Sequence, residues 1–366
     1  MTKHLVNYLK NINWMNKEFL KNILASYSPS GYEKNATSEF EDYMNSFGAK
    51  HEFSDKVGNV CYSVGDGKIN IMLSAHVDEI ALQIQNIDDK GFIHFVKDGG
   101  VDPKVLLGST VMIMSSVTGN MVPGVIGKKP IHVEYGADDE KDKTTKIKDM
   151  KIDIGVESKE EATALVNIGD PIIIQDIPME LGPNRFVGRG LDDKTGIFVV
   201  GEVMKQLAML GTRLKNVKVY GVACTQEETT ASGAVISAAN INPQYSIDFD
   251  VTFATDDDYV SPNEWGDIKL GKGGAIAYGV NNNLELTKII KNTCIDLKIP
   301  YQEFVAPDGG TDTVYIKQAS SDCATQLLSI PNRNMHTQVE MCDYRDLQSL
   351  IDMTVGTIIR INDLNS

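Results

Sequence analysis

Four apolar runs of strand length in this chain end in, or carry, residues that a core does not tolerate unaided. Val217-Lys218-Val219-Tyr220-Gly221-Val222-Ala223-Cys224 reads as a buried strand and leads into Thr225-Gln226-Glu227-Glu228. Two adjacent carboxylates at the end of a buried strand are costly unless something cationic meets them. Tyr245-Ser246-Ile247-Asp248-Phe249-Asp250-Val251 again carries acid where an apolar residue would be cheaper. Ile69 to Ala75 delivers His76 with Asp78 two residues on, and Leu327 to Pro331 precedes a loop with Arg333 and His336. Taken singly, each acid reads as a solvated loop charge and each histidine as structural. Their repetition just past apolar strands points instead to one edge of an open α/β sheet, where ligands bind.

A fifth segment, Gly188-Arg189-Gly190-Leu191-Asp192-Asp193-Lys194-Thr195-Gly196, places two acids between a glycine-permitted turn and a helical pattern from Thr195. The candidates are then His76, Asp192, Glu227, Glu228, Asp250 and His336. Two imidazoles and several carboxylates without a cysteine suit zinc, cobalt or manganese. Six candidates exceed the three protein ligands of a mononuclear catalytic zinc site, so a two-metal site sharing a carboxylate fits the count better. An H-x-D pair suits an imidazole ligand with an acid placed to orient it.

With those residues in view, the chain resembles the dinuclear metal aminopeptidases that build tetrahedral particles, the glutamyl or deblocking aminopeptidase family. The resemblance rests on Ala75-His76-Val77-Asp78-Glu79-Ile80, Gly190 to Lys194, Gln226-Glu227-Glu228, Phe249-Asp250-Val251-Thr252, Gly309-Gly310-Thr311-Asp312 and Pro331 to Thr337. These come in the family's order, and the resemblance runs from about Lys17 to Ile359. It implies an α/β, mixed-sheet, zinc-peptidase-like catalytic domain with an inserted small β-rich domain, PDZ-like or a β-barrel. It also implies two divalent metal ions per subunit bridged by Asp192. Glu228 and His336 would complete one site, His76 and Asp250 the other. Glu227 would act as general base, and Asp78 would hold the His76 ring. Asp193 would help fix the turn after Asp192, and the Ser28-Pro29-Ser30-Gly31 turn would lie near the site. The substrates implied are short peptides with a free α-amino group, and the assembly a homo-oligomer, built from dimers into a twelve-subunit tetrahedral shell.

The chain departs from the family pattern in places. Thr230 and Ser232 stand where glycine and arginine are usual, Asn334 follows Arg333 where tyrosine is usual, and Ala81 replaces a glycine. Every implied ligand is retained, so these changes bear on loop shape and side-chain preference. Three other readings remain open: a different metal-dependent amidohydrolase such as a deacylase, a non-catalytic binding or scaffold protein on the same fold, against which the retained ligands speak, and a glycoside hydrolase using Glu227 and Glu228. The last needs carboxyls about 5–10 Å apart across a sugar and has no need of His76 and His336.

At 366 residues the chain has room for about two domains. The expected division is 1–81 with 185–366 as catalytic domain and 82–184 as a β-rich insert that mediates assembly. Short strands at turn spacing mark the insert: Leu82–Ile87, Phe92–Val96, Thr110–Met114 and Pro171–Asp176, with thin helix signal until Lys159–Val166. Tyr135–Lys151 reads as a solvated loop whose charge run is Asp138–Lys143, and His94 and His132 read as structural. Outside the insert, helices are expected at Asn16–Ala25, Glu33–Phe47, Thr195–Leu210, Ser232–Asn240, Asn283–Leu297, Asp312–Lys317 and Tyr344–Asn362. Gly271-Lys272-Gly273-Gly274 lacks the spacing of a phosphate loop and reads as a turn. A net charge of −15 argues against nucleic acid or an anionic membrane as partner. Five cysteines without a C-x-x-C argue against a disulfide framework, and Cys61 and Cys224 read as core. No apolar signal core or membrane span is visible, so a cytoplasmic location is expected.

Overall fold

Residues 15–130, 132, 145–307 and 310–365 are described in the structure, a computed structural model. Helices α1 (Lys17–Ala25) and α2 (Lys34–Ser46) come first, then strands β1 (Lys50–Ser54), β2 (Val60–Val64) and β3 (Ile69–His76). Next are β4 (Ala81–Ile87), β5 (Ile93–Asp98), β6 (Thr110–Met114), β7 (Met121–Ile126), β8 (Ile152–Asp153), α3 (Lys159–Thr163) and β9 (Pro171–Ile174). The chain continues through β10 (Met179–Leu181), β11 (Arg185–Gly188), α4 (Leu191–Leu210), β12 (Val217–Cys224), α5 (Ser232–Ile241), β13 (Tyr245–Phe253) and α6 (Pro262–Trp265). It closes with β14 (Ala275–Tyr278), α7 (Leu284–Leu297), β15 (Gln302–Val305), α8 (Asp312–Ala319), β16 (Ala324–Asn332), β17 (Glu340–Asp343) and α9 (Tyr344–Leu364).

The main sheet has eight strands in the order β1-β2-β12-β3-β13-β16-β14-β15. Its centre, β12-β3-β13-β16, is parallel throughout; β1 and β2 pair antiparallel to their neighbours, and β14 runs antiparallel to β16 but parallel to β15. Parallel strands lie under helices on both faces, which is why these four read as nearly continuous apolar runs. On one face α4 buries Ile197, Phe198, Val200 and Met204 against Leu73, Val219 and Ile247. On the other, Ala234 and Ala238 of α5 and Ile316 of α8 cover Met72, Val222 and Cys224.

Between β3 and β10 the chain closes a second, separate unit, a six-stranded barrel in the order β4-β5-β8-β7-β6-β9. Leu82, Ile84, Ile93, Val111, Ile113, Ile152 and Ile172 fill it as a core distinct from that of the main sheet. Closure leaves no unpaired strand edge. The fold is thus the mixed α/β sheet with an inserted β-barrel that the sequence implied. Strands β10, β11 and β17 form a small antiparallel sheet outside the barrel.

Some element boundaries move. The strand expected to Asp176 stops at Ile174, the helix expected to Val166 stops at Thr163, and α4 starts at Leu191 with Asp192 and Asp193 outside helical geometry. Strand β7 was not legible because Pro123 and Gly124 interrupt its pattern. Gly271–Gly274 is a turn as expected: Asp346 accepts from the Gly271 and Gly273 amides at 2.7 Å, and Ser349 from Gly274 at 2.6 Å. All five cysteines are free, with Cys61 and Cys224 in the core. His94 pairs with Asp88 at 3.5 Å and His132 is exposed. Most of the loop expected at Tyr135–Lys151, its charge run and Gly309 lie outside the described residues. Among the described residues no helix is long and apolar enough to cross a membrane.

Candidate active site

Register alone gathers the candidates. The β12–β3 ladder sets Cys224 opposite His76, so Glu227 and Glu228 begin three residues beyond that level. The β13–β3 ladder pairs Asp248 with Ser74, and two residues further on are Asp250 and His76. The β13–β16 ladder ends at Phe253 and Asn332, four residues before His336. Asp192 and Asp193 arrive from below the same edge, at the start of α4.

The bonding centres on Asp192. One of its carboxylate oxygens lies 3.0 Å from Nε2 of His76, the other 3.1 Å from Nε2 of His336. The His336 Nε2 is also 3.3 Å from Glu228. Each ring commits its other nitrogen to a backbone carbonyl: His76 Nδ1 is 3.1 Å from the Asp78 oxygen, His336 Nδ1 3.1 Å from the Gly100 oxygen. A ring that donates through Nδ1 presents a lone pair at Nε2, the arrangement of a metal-ligating imidazole. Glu227 approaches His76 to 4.0 Å, and Asp250 is 7 % exposed beside it.

Two groups of three donors converge so that their ligand atoms all lie within 4.8 Å of one another: His76, Asp192 and Glu228, and His76, Asp193 and Asp250. Asp193 thereby joins the site as a carboxylate donor as well as a turn residue. Its Oδ1 accepts from the Gly196 amide at 3.0 Å, and its buried Oδ2 has no protein partner. An all-oxygen-and-imidazole donor set with a spare buried carboxylate oxygen fits divalent cations of the zinc, cobalt or manganese type.

Other side chains fix this geometry. Asp78 accepts from the amides of Glu227 at 3.0 Å and Glu228 at 3.1 Å, and from the Ser30 hydroxyl at 2.6 Å. It therefore orients the two glutamates together with the His76 loop. The Ser28–Gly31 turn meets the site here. Glu340, which the sequence did not suggest, does the same on the other side, accepting from Asp192 N at 3.0 Å and His336 N at 2.8 Å. Its one local signal is an isolated acid four residues past His336, at the head of a short apolar run.

Burial and crowded negative charge push several acids upward. Glu227 rises to about 9, first through desolvation and then through Asp312, Glu228 and Asp192. Desolvation, with Asp192 beside it, lifts Glu340 to about 8. Desolvation again leads for Asp193 and Asp250, both held well above the carboxylate range. Burial would lower His336, but hydrogen bonds to Asp192 and Glu228 outweigh it and lift the ring to about 11. The protein's own cations do not balance its acids at this point, and divalent ions would.

The M42 glutamyl aminopeptidase family model matches residues 58–353. The chain belongs to the M42 glutamyl aminopeptidase family. It is 31 % identical to the lysyl aminopeptidase of Pyrococcus furiosus over 360 residues, 97 % of this chain and 99 % of that one. The TET aminopeptidase of a marine-sediment Thaumarchaeota archaeon superposes with a TM-score of 0.87 at 29 % identity, covering 94 % of this chain and 96 % of that one. The TET1 peptidase of Pyrococcus horikoshii, which assembles into a tetrahedron or a large octahedral shell, gives 0.82 at 31 % identity over 93 % and 98 %. Aminopeptidase activity comes with the family, ahead of the glycosidase reading.

Against this M42 background the departures acquire local roles. The Thr230 and Ser232 hydroxyls bond each other at 2.6 Å, closing the loop after Glu228 where glycine and arginine are usual. Asn334 takes the left-handed φ of +58°, tolerable for asparagine, and its amide donates to Val339 O at 3.1 Å. Arg333 pairs with Asp256 at 2.8 Å. Ala81 opens β4 opposite Asp98.

Proposed function

We propose that this M42 aminopeptidase removes the N-terminal residue of short peptides at a two-metal site. The observation that carries the reading is Asp192, whose two carboxylate oxygens each face the Nε2 of a different histidine. His76 and Asp250 would hold one ion with it, Glu228 and His336 the other, with Asp193 near the first. Divalent ions bound there supply Lewis acidity toward the scissile carbonyl and lower the pKa of water. Glu227, 4.0 Å from the His76 ring, takes a proton from the attacking water and delivers it to the leaving amine. Asp78 and Glu340 keep the surrounding backbone from relaxing, and the free α-amine of the substrate is drawn to the local excess of carboxylate.

Residues 82–184 form the assembly unit and 1–81 with 185–366 the catalytic one in this reading. Dimers are the building block, and the dodecamer and tetrahedral or octahedral shells of the TET1 relatives make a closed twelve-subunit particle the expected end state. A cytoplasmic setting suits five free thiols.

The test is a panel of aminoacyl-p-nitroanilides assayed on chelator-stripped protein titrated with zinc, cobalt or manganese. Activity should return with two equivalents per subunit and vanish for N-acetylated analogues. Full activity with one tightly bound ion ends the two-metal reading, and equal cleavage of acetylated substrates favours an amidohydrolase. Light scattering tests assembly: a monomer at micromolar concentration sinks it, and a stable dimer removes only the shell.

A further inference from the structure

One turn of the barrel reaches the candidate metal centre. Strand β5 ends at Asp98, and Gly99 and Gly100 follow it. A Cβ on Gly99 would lie 3.5 Å from the Glu228 Cβ, and its φ of +83° already favours glycine. Gly100 has no left-handed φ, so its backbone admits alanine. What excludes a side chain is His336: a Cβ on Gly100 would sit 2.5 Å from the ring Nδ1 and 2.7 Å from Cε1. The Gly100 carbonyl meanwhile lies 3.1 Å from that same Nδ1. Two consecutive glycines of the insert thus lie against the two side chains assigned to one ion, Gly100 tightly under His336 and Gly99, where a Cβ would first meet Ile80 at 2.9 Å, in ordinary contact distance of Glu228.

The loop carrying His336 depends on such outside support. His336 takes a left-handed φ of +62°, which histidine tolerates better than most residues but which does not by itself fix the ring. Gln338, two residues on, ties the loop to the barrel again by donating to Val105 O at 3.2 Å and Ser109 Oγ at 2.9 Å.

We propose that Gly100, carried by the inserted barrel, is a positioning residue for His336. Its carbonyl fixes the ring with Nδ1–H donated and Nε2 free, and its missing side chain leaves the ring its place. The insert is then part of the catalytic apparatus as well as an assembly unit. This rests on His336 being a metal ligand. Partners of this kind are typically worth about 10–100-fold in metal affinity.

The test is Gly100→Ala in the full chain, titrated with cobalt and followed by visible absorption and elemental analysis. One ion per subunit should bind as in the unaltered protein, and affinity for the other should fall about 10–100-fold. Gly127→Ala serves as control, a barrel glycine without left-handed φ and with nothing within 4 Å of the place a methyl group would take; it should change neither ion. Unchanged binding, or equal weakening of both ions, in Gly100→Ala overturns the proposal. His336→Ala separates the two levels: if it keeps both ions at full affinity the ligand reading itself fails, and if it loses one while Gly100→Ala does not, only the Gly100 role falls. Should Gly100→Ala not fold, ring ¹⁵N shifts of labelled histidine in the zinc-loaded unaltered protein decide. Nδ1 protonated in His336 supports the proposal, and Nε2 protonated overturns it.

Discussion

Two buried charge clusters lie side by side at the carboxyl edge of the sheet, three residues apart in sequence at Glu79 and His76, and they are built oppositely. Glu79 bonds Lys194 at 2.9 Å and the Arg189 guanidinium, Asp176 accepts from the Arg189 amide at 2.8 Å, and Lys194 also donates to Ser26 O at 2.7 Å. Two acids meet two cations. Around His76, by contrast, Asp192, Asp193, Glu227, Glu228 and Asp250 share two imidazoles. Desolvation raises carboxyl pKa values in both places. Arg189 and Lys194 overcome it and hold Glu79 down at about 2, whereas Glu227 rises to about 9. Burial is common to both clusters, so the sign of each shift reports whether the chain supplies that acid a countercharge: in the second cluster Asp192, bonded to both imidazoles, is held below the carboxylate range, while Asp193, Glu227, Glu228 and Asp250 are raised. The first cluster is complete and structural; the second leaves most of its carboxylates without a cation of the chain's own.

Removing metal should therefore abolish activity while leaving the Glu79 cluster intact. Glu227→Gln goes further into the incomplete cluster. Both ions should stay bound and turnover fall about 10²–10⁴-fold, since a neutral amide cannot carry the proton. Near-normal turnover would move the base elsewhere.

Glu79→Gln breaks the complete cluster. It leaves Lys194 buried without its acid and Arg189 with Asp176 alone, and breaking a buried pair costs about 3–5 kcal/mol, read as a loss of stability to urea in metal-free protein. Because the folded-state pKa of Glu79 lies below its ordinary 4.5, the cluster contributes stability above that pH and loses it as pH falls toward about 2. The variant should lack this part of the acid limb. An unchanged unfolding midpoint would contradict a structural role.

Glu340→Gln keeps the shape but can accept through only one oxygen, so one of its two backbone bonds goes. Metal affinity should drop about 10–100-fold by calorimetric titration, with little effect on the metal-free protein. The smallest effect is expected at Ser232→Ala, which removes an exposed hydroxyl pair and should shift stability by about 0.5 kcal/mol or less. A larger loss would mean the Thr230–Ser232 bond holds the Glu227–Glu228 loop.

Much of this was legible because it is local. The buried strands that carry His76 and Asp250 and lead into Glu227 announce themselves by apolar runs, and β12 and β16 lie close to their expected limits. The seven residues named for the site all converge on one edge. Strand β7 escapes such a reading because Pro123 and Gly124 disguise it, and the start of α4 because Asp192 and Asp193 depart from helical geometry.

The sequence by itself determined the donor types, their order along the chain and the strands that deliver them, because hydrophobic run length and side-chain chemistry are properties of neighbours. Only the tertiary structure decided which acids are balanced. Nothing near Glu79 in sequence says that Arg189, 110 residues away, will neutralise it. Nor does the chain near His336 say that Gly100, 236 residues back, will hold its ring, or that Glu340 will reach across 148 residues to the Asp192 amide. Those contacts depend on strand register and on where the barrel closes against the sheet, and a short sequence window encodes neither.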